Sequence, residues 1–447
     1  MIQTKKSLET FYPRIGLFLL LGGALACFFL LPFGIWGDGN DRYQFMDTLI
    51  HQQRILPMRF SMIGSLISYP LWLISGFLKD SFPVVARYNF FVYAIALFFL
   101  YQWLKGQFDR KFLLTFGLIL TFGSMVPTQI STYYGEVFSA VFLTLGSVGL
   151  AIKKSRLGWA FLILAVVNNP ALLIPFSLIV LYLTWESKKL RYLLLIPICL
   201  FFLMGEAYIR TGNLLASFQT YLNQDHGFKT ILPYSGRTGF SYPFGLGILS
   251  ILFSFGKGII FFCPGLLLAG WAWKSISNPV ERKILILWFL IVLGLILAYA
   301  SWWAWYGGWY WGPRFFLFAS IPASWMIAKL IHTSSKSFIL TLVLPVLITL
   351  SLWVGVDGVV FQQGTLYACT ANDYALESLC WYVPEFSPLI RPFITHGTIT
   401  LASRLNLILF AVLWLYILAP TIIDLLRRLR MMIQANHSWL ELTHWKF

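Results

Sequence analysis

Two short stretches of the sequence place carboxylates at the ends of apolar segments. The first, WGDGNDRY, contains Asp38 and Asp41, and the second, YYGE, ends in Glu136. A carboxylate beside an apolar environment can have its proton affinity raised, which suits it to act as a general base. If two such carboxylates lie on one face, one could act as the base and the other as a metal ligand. We therefore take Asp38, Asp41 and Glu136 as candidate catalytic residues.

Each of these carboxylates also has a purely structural interpretation. Asp38 could cap the helix that follows it, and Asp41 could pair with its neighbour Arg42. Glu136 would be favoured at a helix N-terminus by the helix dipole. No His or Cys spacing supports a specific metal, so a divalent cation stays open as a cofactor without a predicted ligand set.

Three basic residues are candidates for binding a phosphate. Lys257 lies between glycines in FSFGKG, where free amides and a cation suit an anion. Arg314 ends the aromatic run WWAWYGGWYWGPR, and a guanidinium binds phosphate through two parallel hydrogen bonds. Arg237 begins RTGF in the same polar loop as Lys257. The alternatives are an aromatic belt at the membrane interface and an arginine that snorkels to it.

The segments that must position these residues are apolar. The 447-residue chain is 58% hydrophobic and 11% charged, with a mean hydropathy of +0.74, which is outside the range of soluble domains. We expect one integral membrane domain over residues 1–447. Helices of ~20 residues cross a bilayer, and we predict twelve spans by this criterion. They lie at about 15–36, 84–104, 112–130, 136–152, 157–168, 170–184, 191–209, 258–273, 284–303, 314–331, 337–356 and 403–423.

Three segments need separate interpretation. The run 15–36 is long and lacks a cleavage-site pattern, so it is a retained helix rather than a signal peptide. Asn-Asn-Pro at 168–170 breaks the chain between two short or re-entrant helices. Segment 61–78 is predicted as a helix in the outer interface, because a further span there would place a basic cluster outside.

The distribution of charge predicts the orientation of the chain. The net charge is +16, and the basic residues fall in short clusters between apolar runs, which argues against a nucleic-acid partner. The connections taken as cytoplasmic hold 21 of 33 Lys and Arg residues but 6 of 17 Asp and Glu residues. This positive-inside pattern places both termini in the cytoplasm and turns loops 37–83, 210–257 and 357–402 outward.

The five cysteines lie either in apolar runs or in one predicted outward loop. Cys27, Cys199 and Cys263 lie in apolar runs and are expected to be buried thiols. Cys369 and Cys380 share one outward loop, where their spacing allows a disulfide without requiring it.

The sequence has no repeat, Walker loop or G-x-S-x-G motif, which argues against nucleotide hydrolysis.

The order of the motifs resembles polytopic glycosyltransferases of the C superfamily (GT-C). More narrowly, it is similar to bacterial members related to protein mannosyltransferases and lipid A aminosugar transferases. The resemblance rests on GDGNDRY, YYGE, FSFGKGIIFFCPG and GGWYWGPRFF in that order. It implies an all-α, GT-C-like transmembrane bundle in the bacterial inner membrane. It also implies a polyprenyl-phosphate sugar donor used on the outer face.

Carried over by motif, the resemblance assigns Asp38 as the first-loop base and Glu136 as the acid of the second outward loop. Lys257 and Arg314 match the basic residues of the two later motifs. Many relatives have two adjacent acids where this chain has Asp38-Gly39, so Asp41 stays an alternative base. The large soluble C-terminal domain of some relatives has no counterpart here, because apolar segments run nearly to the tail.

The implied function is transfer of a hexosyl or pentosyl group from a polyprenyl-phosphate donor to a hydroxyl of a lipid, glycan or protein. The partners would be the donor, an acceptor and membrane lipids. The alternative is a secondary transporter or lipid-carrier flippase, which would need ionisable residues near mid-membrane and broken helices in matched halves. A non-enzymatic scaffold would not need acidic and basic groups that converge on one outer cleft.

Overall fold

A computed structural model describes residues 2–77, 80–222, 239–333, 337–361, 367–395 and 399–444. Within these ranges the chain is mainly helical, and an isolated parallel bridge pairs Gly34 with Thr132. The helices of the first half are α1 (Ile2–Leu30), α2 (Asp38–Gln52), α3 (Ile63–Ile67), α4 (Tyr69–Ser75), α5 (Phe82–Val85), α6 (Tyr88–Leu104), α7 (Arg110–Phe122), α8 (Val126–Ile130), α9 (Gly135–Ala151), α10 (Ser155–Asn168), α11 (Leu173–Ser187) and α12 (Leu195–Thr211).

The second half continues with ten further α-helices. They are α13 (Ala216–Leu222), α14 (Phe244–Phe253), α15 (Ile259–Phe262), α16 (Ala269–Lys274), α17 (Pro279–Tyr299), α18 (Ser320–His332), α19 (Phe338–Val356), α20 (Tyr367–Thr370), α21 (Glu377–Tyr382) and α22 (Leu401–His444). Six 3₁₀ segments join them at Pro170–Leu172, Leu190–Leu194, Pro264–Leu268, Arg314–Ala319, Pro384–Phe386 and Arg391–Phe393. A π-helix, Asp357–Phe361, extends α19.

Seven helical segments of the described chain are long and apolar enough to cross a bilayer. They are Pro13–Leu30, Phe82–Leu104, Pro170–Ser187, Leu190–Thr211, Arg314–His332, Phe338–Phe361 and Leu401–Gln434. Each overlaps one of the spans predicted from hydropathy. The chain is therefore a multi-pass membrane protein, and the predicted all-α polytopic fold is confirmed. The total of twelve spans and the side on which each loop lies stay predictions.

Two predicted spans are interrupted in the structure. The segment 258–273 forms α15, a 3₁₀ turn and α16 instead of one helix. The break falls at Pro264, which has no amide hydrogen to continue a helix. The segment 112–130 is likewise divided into α7 and α8, with a turn at Gly123.

The predicted interfacial helix over 61–78 is instead two short helices, α3 and α4. They have five and seven residues, too few to cross a bilayer at 1.5 Å per residue. Between them, Ser68 Oγ donates to the Ser65 carbonyl at 2.6 Å. This side-chain bond competes with the helical backbone pattern and accompanies the break.

One part of the buried core lies between α7, α9, α17 and α18. At its centre the buried Trp325 ring contacts the rings of Phe112, Phe116 and Trp288. Helix α9 also packs closely along α10 and α6. Because α9 is held on several sides, its N-terminus is a fixed point for the groups attached there.

The structure resolves the alternative that the sequence leaves open for the outer cysteines. Cys369 and Cys380 form a disulfide with their Cα atoms 5.9 Å apart, which ties α20 to α21. Cys27, Cys199 and Cys263 are buried free thiols, as expected from their apolar surroundings.

Candidate active site

Three of the predicted site residues meet at one point. Asp38 opens α2, Glu136 lies in the first turn of α9, and Arg314 follows Pro313 just before α18. Arg314 Nη2 donates to Asp38 Oδ2 at 2.8 Å, and Arg314 Nε lies 3.5 Å from Glu136 Oε1. One guanidinium thus bridges two carboxylates that come from separate segments of the chain.

The Arg314 side chain is fixed by further contacts. Its Nε donates to the Gly307 carbonyl at 2.6 Å, and its Cζ lies 4.8 Å from the centre of the Tyr134 ring. The Phe315 ring lies on another side at 5.2 Å. The side chain is 11% exposed, so it does not snorkel into solvent. The guanidinium is therefore pre-oriented, which is what bidentate recognition of an anion requires.

Burial and Arg314 act in opposite directions on the pKa of Asp38. Burial raises this pKa, but the charge and hydrogen bond of Arg314 lower it by more, with help from Arg42 and Arg59. The pKa therefore lies below its ordinary value, and Asp38 is ionised at neutral pH. Burial and the Asp38 charge raise the pKa of Asp41 instead.

Asp38, Glu136 and Arg314 line a cavity of about 110 Å³ together with Arg42 and Arg59. Asp41 is solvent-exposed and is not part of this lining. Of the two candidate bases, Asp38 is therefore the one that a molecule in the cavity would reach.

Arg42 is a buried cation of the cavity wall. Its Nη1 donates to the Ser61 carbonyl at 3.2 Å, while its Nε has no hydrogen-bond partner in the part of the chain that the structure describes. Among the described residues, no carboxylate oxygen lies within 4.0 Å of it. At Gly135 a Cβ atom would lie 2.6 Å from Arg42 Nη2, so the glycine of YYGE leaves room for this guanidinium.

The two structural interpretations of the first acidic motif are wrong. Gly37 is the N-cap residue of α2, and no side chain caps this helix, because the Asp38 carboxylate is turned to Arg314. Asp41 and Arg42 form no ion pair, since Arg42 points into the cavity and Asp41 points to solvent.

The Asn-Asn-Pro break also belongs to the cavity wall. Helix α10 ends at Asn168, as predicted, and the Asn168 Nδ2 atom donates to the Gly135 carbonyl at 3.1 Å and to Ser139 Oγ at 2.9 Å. The Asn168 Oδ1 atom is buried and has no hydrogen-bond partner within the described ranges. Asn168 therefore holds the N-terminus of α9 through its Nδ2 atom, and its Oδ1 atom is a hydrogen-bond acceptor beside the cavity.

A buried ion pair on α12 holds the segment that carries Arg59. Glu206 and Arg210 are bonded at 2.8 Å, and Glu206 Oε1 also accepts the Met62 amide at 2.9 Å. Arg210 donates in addition to the Met58 carbonyl and to Ser217 Oγ. Residues 58–62 are thus fixed from both ends against α12.

The structure separates Lys257 from the other candidate residues. Its ammonium group is buried and donates to the carbonyls of Gly308, Tyr310 and Gly312, and the side chain does not line the cavity. Arg237 lies outside the described residues. Within the described chain, no group of three His, Cys, Asp or Glu residues is placed to hold a metal ion.

Comparison with known proteins identifies the fold. No protein family and no curated protein match the sequence. The chain is similar in structure to ArnT from Cupriavidus metallidurans, a crystal structure bound to undecaprenyl phosphate. The match has a TM-score of 0.50 and 11% sequence identity, and it covers 90% of this chain and 77% of that chain. The fold is ArnT-like. At this identity the likeness concerns the fold alone.

Among the other residues that line the cavity, Arg42, Arg59 and Asn168 were not predicted as site residues from the sequence. Arg42 follows Asp38 by four residues, and in a helix this spacing places two side chains on one face. That signal was available from the sequence. Arg59 and Asn168 reach the cavity through tertiary packing, which no local pattern encodes.

Proposed function

We propose that this protein is a glycosyltransferase that moves a sugar from a polyprenyl-phosphate donor to an acceptor hydroxyl. The observation that carries the proposal is the Asp38–Arg314–Glu136 cluster in a cavity whose wall includes a second buried arginine. A carboxylate suits proton removal from a hydroxyl, and guanidinium groups suit a phosphate leaving group. The ArnT-like fold supports the donor class, because that structure holds undecaprenyl phosphate.

In the proposed reaction, Asp38 accepts the proton of the acceptor hydroxyl as its oxygen bonds to the anomeric carbon of the sugar. The bond from that carbon to the donor phosphate breaks, and the polyprenyl phosphate leaves with the electron pair. Attack and departure occur on opposite faces of the sugar, so the anomeric configuration is inverted. Arg314 stabilises the negative charge that develops on the phosphate.

In the donor-free protein, the ion pair with Asp38 gives Arg314 a second role in the proposed reaction. Arg314 keeps the pKa of Asp38 low, which makes Asp38 a weak base before the donor binds. A phosphate that draws the guanidinium toward itself would weaken the hold on Asp38, and the proton affinity of the carboxylate would then rise. Donor binding would thus prepare the base, while Glu136 keeps Arg314 in place.

We assign the donor phosphate to Arg314 and Arg42, with Arg59 at the edge of the cavity. Arg42 is buried without a carboxylate partner among the described residues, so an anion would supply the missing counter-charge. The predicted orientation would place this reaction at the outer face of the bacterial inner membrane.

The test is incubation of the purified protein with radiolabelled polyprenyl-phosphate sugars and candidate acceptors. We expect label to pass to an acceptor hydroxyl, with a loss of transfer in Arg42→Gln. Labelled lipid that crosses a proteoliposome membrane without transfer would instead indicate a flippase. The matched control is Arg404→Gln, which changes an exposed arginine in the first turn of α22, distant in sequence from the cavity residues.

A further inference from the structure

Lys257 makes a set of contacts that differs from those of a ligand-binding lysine. Its Nζ donates to the Gly308 carbonyl at 3.0 Å, to the Gly312 carbonyl at 2.9 Å and to the Tyr310 carbonyl between them. An ammonium group has three protons and therefore three bonds to give. All three are used inside the protein, which leaves none for a phosphate.

The segment that receives these bonds is the glycine-rich loop 307–312. Gly307, Gly308 and Gly312 have φ angles of 77°, 78° and 67°, a region that L-residues rarely adopt. These turns direct three alternate carbonyls to one buried point. Buried carbonyls need donors, and a single cation placed among them satisfies all three.

The same loop holds Arg314. The Gly307 carbonyl accepts from Arg314 Nε at 2.6 Å, while Arg314 Nη2 reaches Asp38. The loop conformation therefore determines where the guanidinium points. Lys257 contacts the loop but does not line the cavity, so its effect on the site passes through Arg314.

The position of Lys257 is itself fixed by the disulfide-linked outer segment. The Gly256 amide donates to the Trp381 carbonyl at 3.1 Å, and Lys257 Nζ lies 5.1 Å from the centre of the Trp381 ring. A Cβ atom at Gly256 would lie 1.7 Å from the Cys380 carbonyl oxygen, so the backbone passes too close for any other residue. This explains why a glycine precedes the lysine in the FSFGKG motif.

Two further side chains hold the aromatic residues of the loop. Trp311 Nε1 donates to the buried Asp357 at 2.7 Å, and Trp309 Nε1 donates to the buried Glu377 at 3.2 Å. Lys257 thus holds the loop backbone while two carboxylates hold its side chains.

We propose that Lys257 is a positioning residue that fixes loop 307–312 and thereby aims Arg314, and that it makes no contact with the donor. This rests on the proposed function only for the identity of the donor.

The decisive measurement is the dissociation constant for polyprenyl phosphate in a double-mutant cycle of the full chain in nanodiscs. We expect Lys257→Met to weaken binding by ~10-fold or more in the wild-type background and to have little further effect with Arg314→Ala, because contacts that act through one residue are not additive. Equal fold-changes in both backgrounds would make Lys257 an independent phosphate ligand and overturn the proposal.

A second variant tests the same idea while Lys257 is retained. Gly308→Ala imposes a side chain at φ 78°, and its nearest neighbour would be Arg314 Nη2 at 3.8 Å, so the strain is in the backbone. Hydrogen exchange of the peptide over 302–316 should accelerate in Lys257→Met and in Gly308→Ala. Unchanged exchange in Lys257→Met would overturn the proposal. This readout needs no ligand, so it stands even if wild-type protein binds no polyprenyl phosphate, a result that would count against the proposed function instead.

Discussion

Arg314 and Asp38 are 276 positions apart in the sequence, and their side chains are joined by a 2.8 Å hydrogen bond between opposite charges. The proton affinity of the candidate base is therefore controlled by a residue from the other half of the chain. Removal of the Arg314 charge should therefore alter both donor binding and the acid–base behaviour of Asp38.

Asp38→Asn should lower the turnover of sugar transfer by ~10²-fold or more, the usual scale for loss of a general base. The amide keeps the shape of the side chain and an oxygen for Arg314, so binding of polyprenyl phosphate should change little. The matched control is Asp41→Asn, three residues away and exposed, which should keep near-normal turnover. A loss confined to Asp41→Asn would move the role of base to Asp41, and normal turnover in both variants would refute the mechanism.

The pH dependence of transfer should report the Asp38–Arg314 pair. Arg314 depresses the pKa of Asp38 in the donor-free protein, so kcat/KM of the wild type should fall only in acid, below the ordinary value of 3.8. The stability that this pair contributes is likewise present above the unfolded pKa and lost as pH falls through the folded one. In Arg314→Ala the effect of burial on the pKa of Asp38 is opposed only by Arg42 and Arg59, and the acid limb of residual kcat/KM should move to higher pH.

Arg314→Lys is the control for the pH dependence of transfer in Arg314→Ala. It keeps a positive charge, so the acid limb should stay low, but it loses the planar fork and should still bind the donor more weakly. Coincident acid limbs in wild type and Arg314→Ala would show that Arg314 does not control the titration. Full activity in both variants would remove Arg314 from the site.

The buried pair on α12 should matter far more than an exposed one. Glu206→Gln leaves Arg210 buried without a countercharge, and we expect a loss of about 3 to 5 kcal/mol of folded-state stability. Glu186→Gln removes the partly exposed partner of Lys283 and should cost less than about 1 kcal/mol. Thermal denaturation of both variants in detergent measures the difference. Equal melting temperatures of the two variants would contradict the conclusion that the Glu206–Arg210 pair fixes residues 58–62.

Membrane orientation can be tested by cysteine accessibility in intact cells. The positive-inside division predicts that a cysteine placed at Lys153 faces the cytoplasm and one at Asp373 faces out. An impermeant thiol reagent should therefore label the second and not the first. The reverse pattern would invert the topology and place the site on the cytoplasmic side.

The sequence was sufficient to predict the membrane class, spans that overlap all seven helical segments of spanning length, and the meeting of Asp38, Glu136 and Arg314. The spans follow from hydrophobicity, and the site residues follow from short motifs that place charged groups beside apolar segments. The breaks at Gly123 and Pro264 were missed, because an apolar run has the same hydropathy whether or not the helix inside it is continuous.

The second arginine of the cavity and the burial of Lys257 were missed for a different reason. A lysine between glycines suits an anion as well as it suits a ring of carbonyls, and only the tertiary fold decides which partner is present. Arg42 was paired with its neighbour Asp41 in sequence, whereas the helix directs the two side chains to different surroundings.

The bond from the Met62 amide to Glu206 has a consequence for biosynthesis. These residues are 144 positions apart. At the usual ribosomal rate of 5–20 residues per second, the segment carrying Arg59 is made about 7 to 30 s before its anchor. During that interval the inserted N-terminal helices must hold an unfinished cavity wall, which would be exposed to proteases and to early interactions with lipid. A chain that stalls before α12 would therefore lack the anchor of its cavity wall, even though its first spans are already in the membrane.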